Sequence, residues 1–268
     1  FHKALRDAGI TEGGEPMVQL RNQGMVLGEH HEKMSKSRGN VVAPDALVRR
    51  YGADTIRAYL MFFARWQLGA PWDSQGIEGT SRWLRRVWTM FTEPARTAGQ
   101  PPSADTLREL RRRVHQTVQS VTRDFEQFEF NTIVSSLMEL QGDMQKARDA
   151  GAAGTPEWDE ASEMYVKMLA PVCPHVAEEL WTEHLGKPYS VHQQDWPKAD
   201  EAAAREDFIE IPVQVNGKVR DRVRVPAGAS EETIRAAALA SEIVRRYLEG
   251  KEPRKVIVAQ GRLVSVVV

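Results

Sequence analysis

Residues 32 to 40 read Glu32-Lys33-Met34-Ser35-Lys36-Ser37-Arg38-Gly39-Asn40. Lys33, Lys36 and Arg38, with the hydroxyls of Ser35 and Ser37, make this stretch too polar for a core. A loop of this kind can hold phosphate: lysine supplies a mobile point charge, hydroxyls and free backbone N–H groups supply short hydrogen bonds, and Gly39 turns without steric cost. Composition alone also describes a solvated loop, since short basic runs are common on surfaces. The flanks narrow the reading. Met25-Val26-Leu27, between Gly24 and Gly28, predicts a short buried strand, so the loop follows a strand end, where open α/β sheets place their ligands. His30 and His31 are adjacent, and adjacent side chains rarely converge on one metal, so they are read as loop.

The 268 residues are long enough for about two domains, and 41% hydrophobic with 27% charged residues describes an ordinary soluble protein able to bury cores. A net charge of -1 excludes a chain that binds nucleic acid by overall charge; any such surface must be local. Cys173 is the single cysteine, which excludes an internal disulfide framework and a multi-cysteine zinc site and suits a reducing compartment. No metal site is expected. No run approaches the roughly 18 apolar residues of a membrane helix, and Phe1-His2-Lys3 does not open a signal peptide, so the expected location is the cytoplasm. The chain starts without methionine inside a helical pattern, Phe1 to Ala8, which is expected of a fragment or a processed chain.

After the loop, Pro44 and Asp45 open a helix over Ala46 to Arg50 that Tyr51-Gly52 stops. Asp54 is positioned to cap a second helix, Thr55 to Arg65, whose Ile56, Tyr59, Leu60, Phe62 and Phe63 form a broad apolar surface that needs covering. Gly69-Ala70-Pro71-Trp72 reads as an exit from the first domain. From Ser74 to about Glu183 nearly every segment has helical period. Ile77, Leu84, Trp88 and Phe91 mark one stripe; Leu107, Leu110, Val114, Val118, Val121, Phe125 and Phe128 mark a longer one. Breaks at Gln100 to Ser103 and Gly151 to Thr155 divide a bundle of about five helices, with segments Asn131 to Ala150, Pro156 to Ala170 and a short one from Pro174 through Trp181. Cys173, between apolar neighbours, reads as a buried inert thiol, and His175 as a helix-start packing residue. Arg85, Arg86, Arg111, Arg112, Arg113 and Arg123 give the bundle basic surface of the kind solvated helix faces carry.

Pro197 to Arg205 reads as a polar linker, and beyond it the period changes to two. Val213 and Val215, an Asn216-Gly217 turn, then Val219, Val223 and Val225 spell a tight hairpin. Ser230 caps one helix that Gly250 ends, and a second hairpin follows, with Val256 to Val258, a turn at Gln260-Gly261, and Leu263 to Val268. The expected order is ββαββ, one helix against a sheet. Strand alternation places Arg220, Arg222 and Arg224 in a row beside Lys218, on the face opposite the valines. Residues 207 to 268 hold 11 Lys and Arg against 8 Asp and Glu, so this basic row serves equally a solvated face or phosphate contact.

The ordered Lys33-Met34-Ser35-Lys36-Ser37 resembles the KMSKS signature of class I aminoacyl-tRNA synthetases. Further segments resemble a bacterial-type leucyl-tRNA synthetase: Phe1-His2-Lys3 through Gly9, Gln23 to Val26, Tyr51-Gly52-Ala53-Asp54-Thr55, Gly76 through Trp88, Phe130-Asn131-Thr132, Pro174-His175, Val213 to Arg220, and Arg254-Lys255-Val256. The resemblance spans the chain, and the hairpin Val213-Gln214-Val215-Asn216-Gly217-Lys218-Val219-Arg220 separates it from isoleucyl and valyl relatives. It implies a fold that is mainly α plus α+β: the end of a Rossmann-type catalytic domain over 1–72, a helical anticodon-binding-type bundle over 73–199, and a small C-terminal domain over 206–268.

The resemblance also implies the chemistry. Leucine is activated by ATP, as its Mg2+ complex, and passed to the 3′ end of tRNA-Leu. Charge builds on the phosphate oxygens as the amino-acid carboxylate attacks, and an ammonium closing on them stabilises that transition state beyond the ground state. Lys36 takes this catalytic role with Lys33 in support, and Lys33, Met34, Ser35, Lys36 and Ser37 are the implied ATP-phosphate contacts. Lys218, Arg220, Arg222, Arg224 and Lys255 are the implied tRNA contacts. A His-Ile-Gly-His element, the leucine pocket and the editing domain are not in this sequence, and Leu27 to Lys33 is too short for the domain that some relatives insert there. This chain alone is therefore expected to be catalytically incomplete and to meet ATP and leucine only with an N-terminal catalytic half; no membrane partner is expected. A stand-alone tRNA-binding module or split-synthetase subunit without its own catalysis, and an interaction protein whose Rossmann remnant docks a partner, are the rival readings.

Overall fold

Gly24 and Gly69 lie where two backbones nearly touch: a Cβ on Gly24 would stand 2.0 Å from the Gly69 nitrogen, and one on Gly69 2.1 Å from the Met25 carbonyl. That approach lets β1 (Met25–Leu27) pair in parallel with β2 (Gly69–Pro71). The expected exit at Gly69 is thus a strand, because pairing with β1 satisfies backbone groups that an open loop would leave to water. The structure is a computed structural model of the 268-residue chain; it describes all residues but 96–100, 206–207, 249, 251, 260 and 268, and only the backbone of Phe208. The expected breaks at Gln100 and Gln260 and the last strand residue, Val268, lie outside the described residues. The chain divides into two compact units, Phe1–Ala204 and Arg205–Val268.

In the first unit, α1 (His2–Asp7) precedes β1, and α2 (Pro44–Tyr51) and α3 (Ala53–Phe62) follow the basic loop. The α3 helix has two working faces. Ile56 and Tyr59 join Trp72 and Ile77 in a small core, with Val26, Met34, Val42, Leu47 and Phe63 packed on it. Ala58 and Met61 on the other side join the core of the bundle. Leu60 and Phe62, expected under cover, remain exposed. The bundle consists of α4 (Gly76–Thr92), α5 (Ala104–Gln127), α6 (Phe130–Ala147), α7 (Pro156–Leu169) and α8 (Pro174–Glu179). Its core includes Leu84, Leu110, Val114, Val118 and Val121 from the expected stripes together with Trp83, Val87, Leu137, Tyr165 and Trp181. Trp88, expected in the α4 stripe, is exposed, because Trp83 and Val87 take the buried side of that helix. Ser103 and Thr155 cap α5 and α7 through their side chains, each cap worth about 1 kcal/mol.

The expected linker is packed structure. The single turn α9 (Glu201–Ala204) lies on α5: Gln116 donates to the Ala204 carbonyl at 2.9 Å, and the Asp200 amide donates to His115 Nδ1 at 3.1 Å. Alanine-rich polar sequence looks like linker until a neighbouring helix offers partners, and α5 does.

The second unit is a four-stranded sheet in the order β4-β3-β6-β5. β3 (Phe208–Val215) and β4 (Lys218–Pro226) form the hairpin, turning through Asn216 and Gly217, both at positive φ. β5 (Lys255–Ala259) and β6 (Leu263–Val267) form the second, and β6 runs parallel to β3. Between the hairpins the expected single helix is two, α10 (Glu231–Ala240) and α11 (Glu242–Leu248). Ser241 breaks it at φ -57, ψ 128, and its hydroxyl accepts from the Val244 amide at 3.2 Å while donating to Asp221. A serine able to cap and to reach a strand carboxylate restarts the helix in a new direction. Ile234, Ala238, Val244 and Leu248 bury against Ile211, Val213, Val215, Val223, Val225, Val264 and Val266.

Candidate functional site

The basic loop is held from its two ends. Asn40 accepts from the Ser35 amide at 2.7 Å and donates to Glu32 Oε1 at 2.8 Å and the Lys33 carbonyl at 3.3 Å. Leu27 and Lys33 form an antiparallel bridge, the Gly28 amide donates to the Glu32 carbonyl at 2.8 Å, and Lys36–Arg38 make one 3₁₀ turn. The Ser35 and Ser37 hydroxyls bond each other at 2.8 Å. A Cβ on Gly28 would stand 2.2 Å from Glu32 Oε1, so the carboxylate closes against bare backbone. The hydrogen bond from Asn40, then a backbone bond, holds the Glu32 carboxyl below its ordinary value against a small opposing effect of burial; His30 and Arg38 add to the lowering.

This scaffold presents Lys33, Lys36, Ser37 and Arg38 to solvent, and neither lysine has an ion-pair partner among the described residues. An unpaired ammonium on a loop pinned at its base is suited to meet a phosphate without breaking an existing contact. Met34 behaves differently. Its side chain packs on the small core with Ile56, Tyr59 and Trp72, so it anchors the loop and leaves only backbone for a ligand. Ser35 and Ser37, implied as ATP-phosphate contacts, bond each other, while Asn40 and Glu32, at the ends of the quoted stretch, fix the turn. Asparagine just after a glycine is the signal that marked it.

A second arrangement joins residues 121 positions apart. The buried Asp54 carboxylate bonds His175 Nδ1 at 2.7 Å and accepts from the Val176 amide at 2.7 Å. Asp54 therefore caps α8, while Gly52 is the N-terminal boundary of α3 without a side-chain cap. Arg57 adds bonds to the carbonyls of Pro171 and Val172 at 2.9 and 3.3 Å. These contacts tie the segment bearing the loop to the bundle. His175 is thus a paired residue with a solvent-facing ring, 76% exposed, and packing plays little part in its position. Cys173 is buried, and desolvation pushes its thiol well up, in keeping with an inert core residue.

In the hairpin the register shifts where Val213 faces Asp221 and Gln214 faces Val219. Arg220 is the extra residue of a bulge, and a bulge re-aims its side chain. Its guanidinium lies over the Tyr247 ring at 4.4 Å, on α11. The expected row of arginines is corrected accordingly: Arg222 and Arg224 keep the outer face, opposite Pro212 and Glu210, and Arg220 leaves it. Arg222 stands 4.0 Å from Glu210. Lys218 is exposed beside the turn. Lys255 lies on β5, the far edge of the sheet, about 14 Å across three strand spacings.

Bundle arginines divide into two groups. Arg111 pairs with Glu160 at 2.6 Å, Arg113 with Asp143 at 2.8 Å, Arg123 with Asp124 at 3.1 Å, and Arg112 with Glu109. The bond from Arg111 is the main reason the Glu160 carboxyl is held below its ordinary range. Arg85 and Arg86 are exposed and belong to no such pair among the described residues. Among the described residues no group of His, Cys, Asp and Glu could hold a metal ion, and no helix is long and apolar enough to cross a membrane.

Residues 8–68 match the family model for class I tRNA synthetases of the I, L, M and V group, and residues 108–235 match the anticodon-binding domain of tRNA ligase. The chain is 52% identical over 265 residues to the leucine–tRNA ligase of Deinococcus radiodurans, and 48% identical over 268 residues to that of Dehalococcoides mccartyi. These alignments cover 99% and 100% of the chain, respectively, and 32% of each relative. A LeuRS of Agrobacterium radiobacter, crystallised as a ternary complex with tRNA and LeuAMS, superposes with a TM-score of 0.79 at 31% identity, over 99% of this chain and 35% of that one. The chain, spanning about a third of the length of the relatives it matches, is thus similar over its whole length to leucine–tRNA ligases, and its segments match the class I tRNA synthetase and anticodon-binding-domain families.

Proposed function

We propose that this chain supplies the ATP-phosphate loop and the tRNA-binding surfaces of leucine–tRNA ligation. The observation that carries it is the loop itself: in a chain whose whole length aligns with leucine–tRNA ligases, Lys33 and Lys36 stand exposed, without an ion-pair partner among the described residues, on a turn fixed by Asn40. Lys36 approaches the phosphate oxygens of the ATP–Mg2+ substrate as the leucine carboxylate attacks. There its ammonium opposes charge that grows toward the transition state, with Lys33 beside it. Ser35, Ser37 and the backbone at Met34 hold the turn and donate hydrogen bonds. Arg222, Arg224, Lys218 and Lys255 contact the tRNA backbone, and Arg220, held over Tyr247 from its bulged position, contributes less than a full contact. The setting is the cytoplasm, where translation uses the product. Residues 1–72, 73–199 and 206–268 carry the loop, the bundle and the C-terminal tRNA contacts, respectively.

Leucine-dependent ATP–pyrophosphate exchange tests this. The chain alone is expected to be inactive, and activity is expected when it is mixed with the remaining part of a leucine–tRNA ligase. Binding of tRNA without such rescue would favour a stand-alone RNA-binding module; neither binding nor rescue would leave an interaction protein.

A further inference from the structure

One helix, α3, touches both the bundle and the core under the basic loop. At its start the Asp54 carboxylate, 5% exposed, bonds His175 Nδ1 at 2.7 Å through one oxygen and accepts from the Val176 amide at 2.7 Å through the other. The Asp54 carbonyl accepts from the Cys173 thiol at 3.8 Å. Three residues on, Arg57 donates to the carbonyls of Pro171 and Val172, just past the end of α7. Val176 is the third residue of α8, the position whose amide a capping side chain ordinarily takes from within its own segment. Here the capping position is Cys173, whose thiol is turned to Asp54, and the acceptor comes from 122 residues away. A local cap would steady α8 whatever α3 did; this one forms only when the two helices lie side by side. Further along α3, Ile56 and Tyr59 pack with Trp72 and Met34. The Tyr59 hydroxyl donates to the Asp73 carbonyl at 2.7 Å and accepts from the Asp73 amide at 3.2 Å, which fixes its ring in the core that anchors Met34.

We propose that Asp54 and His175 are positioning residues for the loop: through α3 and Met34 they set where Lys36 stands during leucine activation, without touching substrate. This rests on the loop reading above and adds two residues to it. A close-packed helix of ten residues passes a displacement at one end to its neighbours at the other instead of absorbing it. The ring of His175 is 76% exposed, and replacing an exposed side chain ordinarily changes little. What His175 supplies is the second donor to a carboxylate held out of water. Deprived of it, the carboxylate is drawn toward solvent, because a buried charge short of a donor is costly, and the first turn of α3 moves with it.

The test is leucine-dependent ATP–pyrophosphate exchange in a complete leucine–tRNA ligase carrying this segment. His175 is the residue to change, since removing the buried Asp54 carboxylate also uncaps α8. The parent is compared with His175→Ala, His175→Asn, Lys36→Ala, and Lys187→Gln, which breaks an exposed bundle pair with Glu163. In His175→Ala, kcat should fall about three- to tenfold with the KM for leucine unchanged. His175→Asn, whose amide donates from nearly the place of Nδ1, should keep at least about half of the parent rate, and Lys187→Gln all of it. Amide hydrogen exchange should quicken at Lys33 to Asn40 in His175→Ala while Val114 to Val118 in the bundle core stay protected, a pattern that general destabilisation does not give. Parent-like exchange in His175→Ala beside a slow Lys36→Ala would overturn the positioning role and leave the loop reading standing. Equal slowing in His175→Ala and His175→Asn with loss of protection in the bundle core would reduce the pair to a stabilising contact and overturn it too. A parent-like Lys36→Ala would overturn the loop reading and the positioning role together.

Discussion

The loop at 33–38 and the hairpin strand at 218–224 have similar compositions of short, basic, polar-rich sequence, yet the fold treats them in opposite ways. In the loop every cation stays outside, because the turn is satisfied by uncharged or acidic groups: Asn40 takes the backbone bonds, Glu32 holds Asn40, and the two serine hydroxyls bond each other. In the hairpin a bulge diverts one of three arginines onto Tyr247, and Asp221 turns inward to Ser241. A basic run therefore becomes a site only where something other than its cations carries the structure. The same contrast recurs in the bundle, where carboxylates already occupy Arg111, Arg113 and Arg123 and leave Arg85 and Arg86 outside.

The largest effect is expected at Lys36. In a complete leucine–tRNA ligase carrying this segment, Lys36→Ala should lower leucine-dependent pyrophosphate exchange by about tenfold to a thousandfold, as single electrostatic donors do. An unchanged rate would mean that exposed, unpaired cations on a pinned turn are not enough to mark the site. Asn40→Ala sharpens the same side. It removes three hydrogen bonds from the loop without touching a cation, and exchange should fall about tenfold, with faster amide hydrogen exchange at Ser35 as a readout that the loss of a ligand contact would not produce.

On the hairpin side, Arg222→Gln with Arg224→Gln should flatten the salt dependence of tRNA binding by about 1.4 to 1.8 in log–log slope, whereas Arg220→Gln, already engaged with Tyr247, should change it by less than half a contact's share. Equal slopes for all three would break the distinction drawn from the bulge. Ser241→Ala removes the cap of α11 and the partner of Asp221, and should cost about 1 kcal/mol in chemical denaturation of the second unit. The smallest effect concerns acidity. Because the folded Glu32 carboxyl lies below its ordinary 4.5, its contribution to loop order is complete above that value and lost as pH falls through the lower folded one. Protection factors at Lys33 to Asn40, that is, exchange normalised to the intrinsic base-catalysed rate, should therefore hold level at neutral pH and fall once the pH drops below the ordinary carboxyl range, and a Glu32→Gln variant should lose this dependence.

Much of the architecture was legible without coordinates. The stripe along α5, the cap at Ser230, the Asn216-Gly217 turn and the burial of Cys173 follow from periodicity and local chemistry. What escaped was long-range or depended on one extra residue. Gly69 to Pro71 looks like a loop until Met25 to Leu27 lies beside it. Asp54 looks like a cap for its own helix, and only the approach of Pro174 to Val176 shows which helix it caps. The bulge at Arg220 shifts alternation by one residue, and no pattern of valines announces it.

The sequence by itself determined which segments are helical or extended, which residues are apolar enough to be buried, and that a phosphate-suited loop follows a strand. Those properties reside in side-chain chemistry at spacings of two to four residues, where neighbours in the chain are neighbours in space. Tertiary structure alone decided which cations are spent on internal carboxylates and which remain outward, that Met34 anchors while Lys36 is presented, and that Asp54 joins His175. Each of those outcomes depends on a partner brought close only by packing, since an ionic or hydrogen-bonding group has no fixed role until its nearest opposite charge or donor is in place.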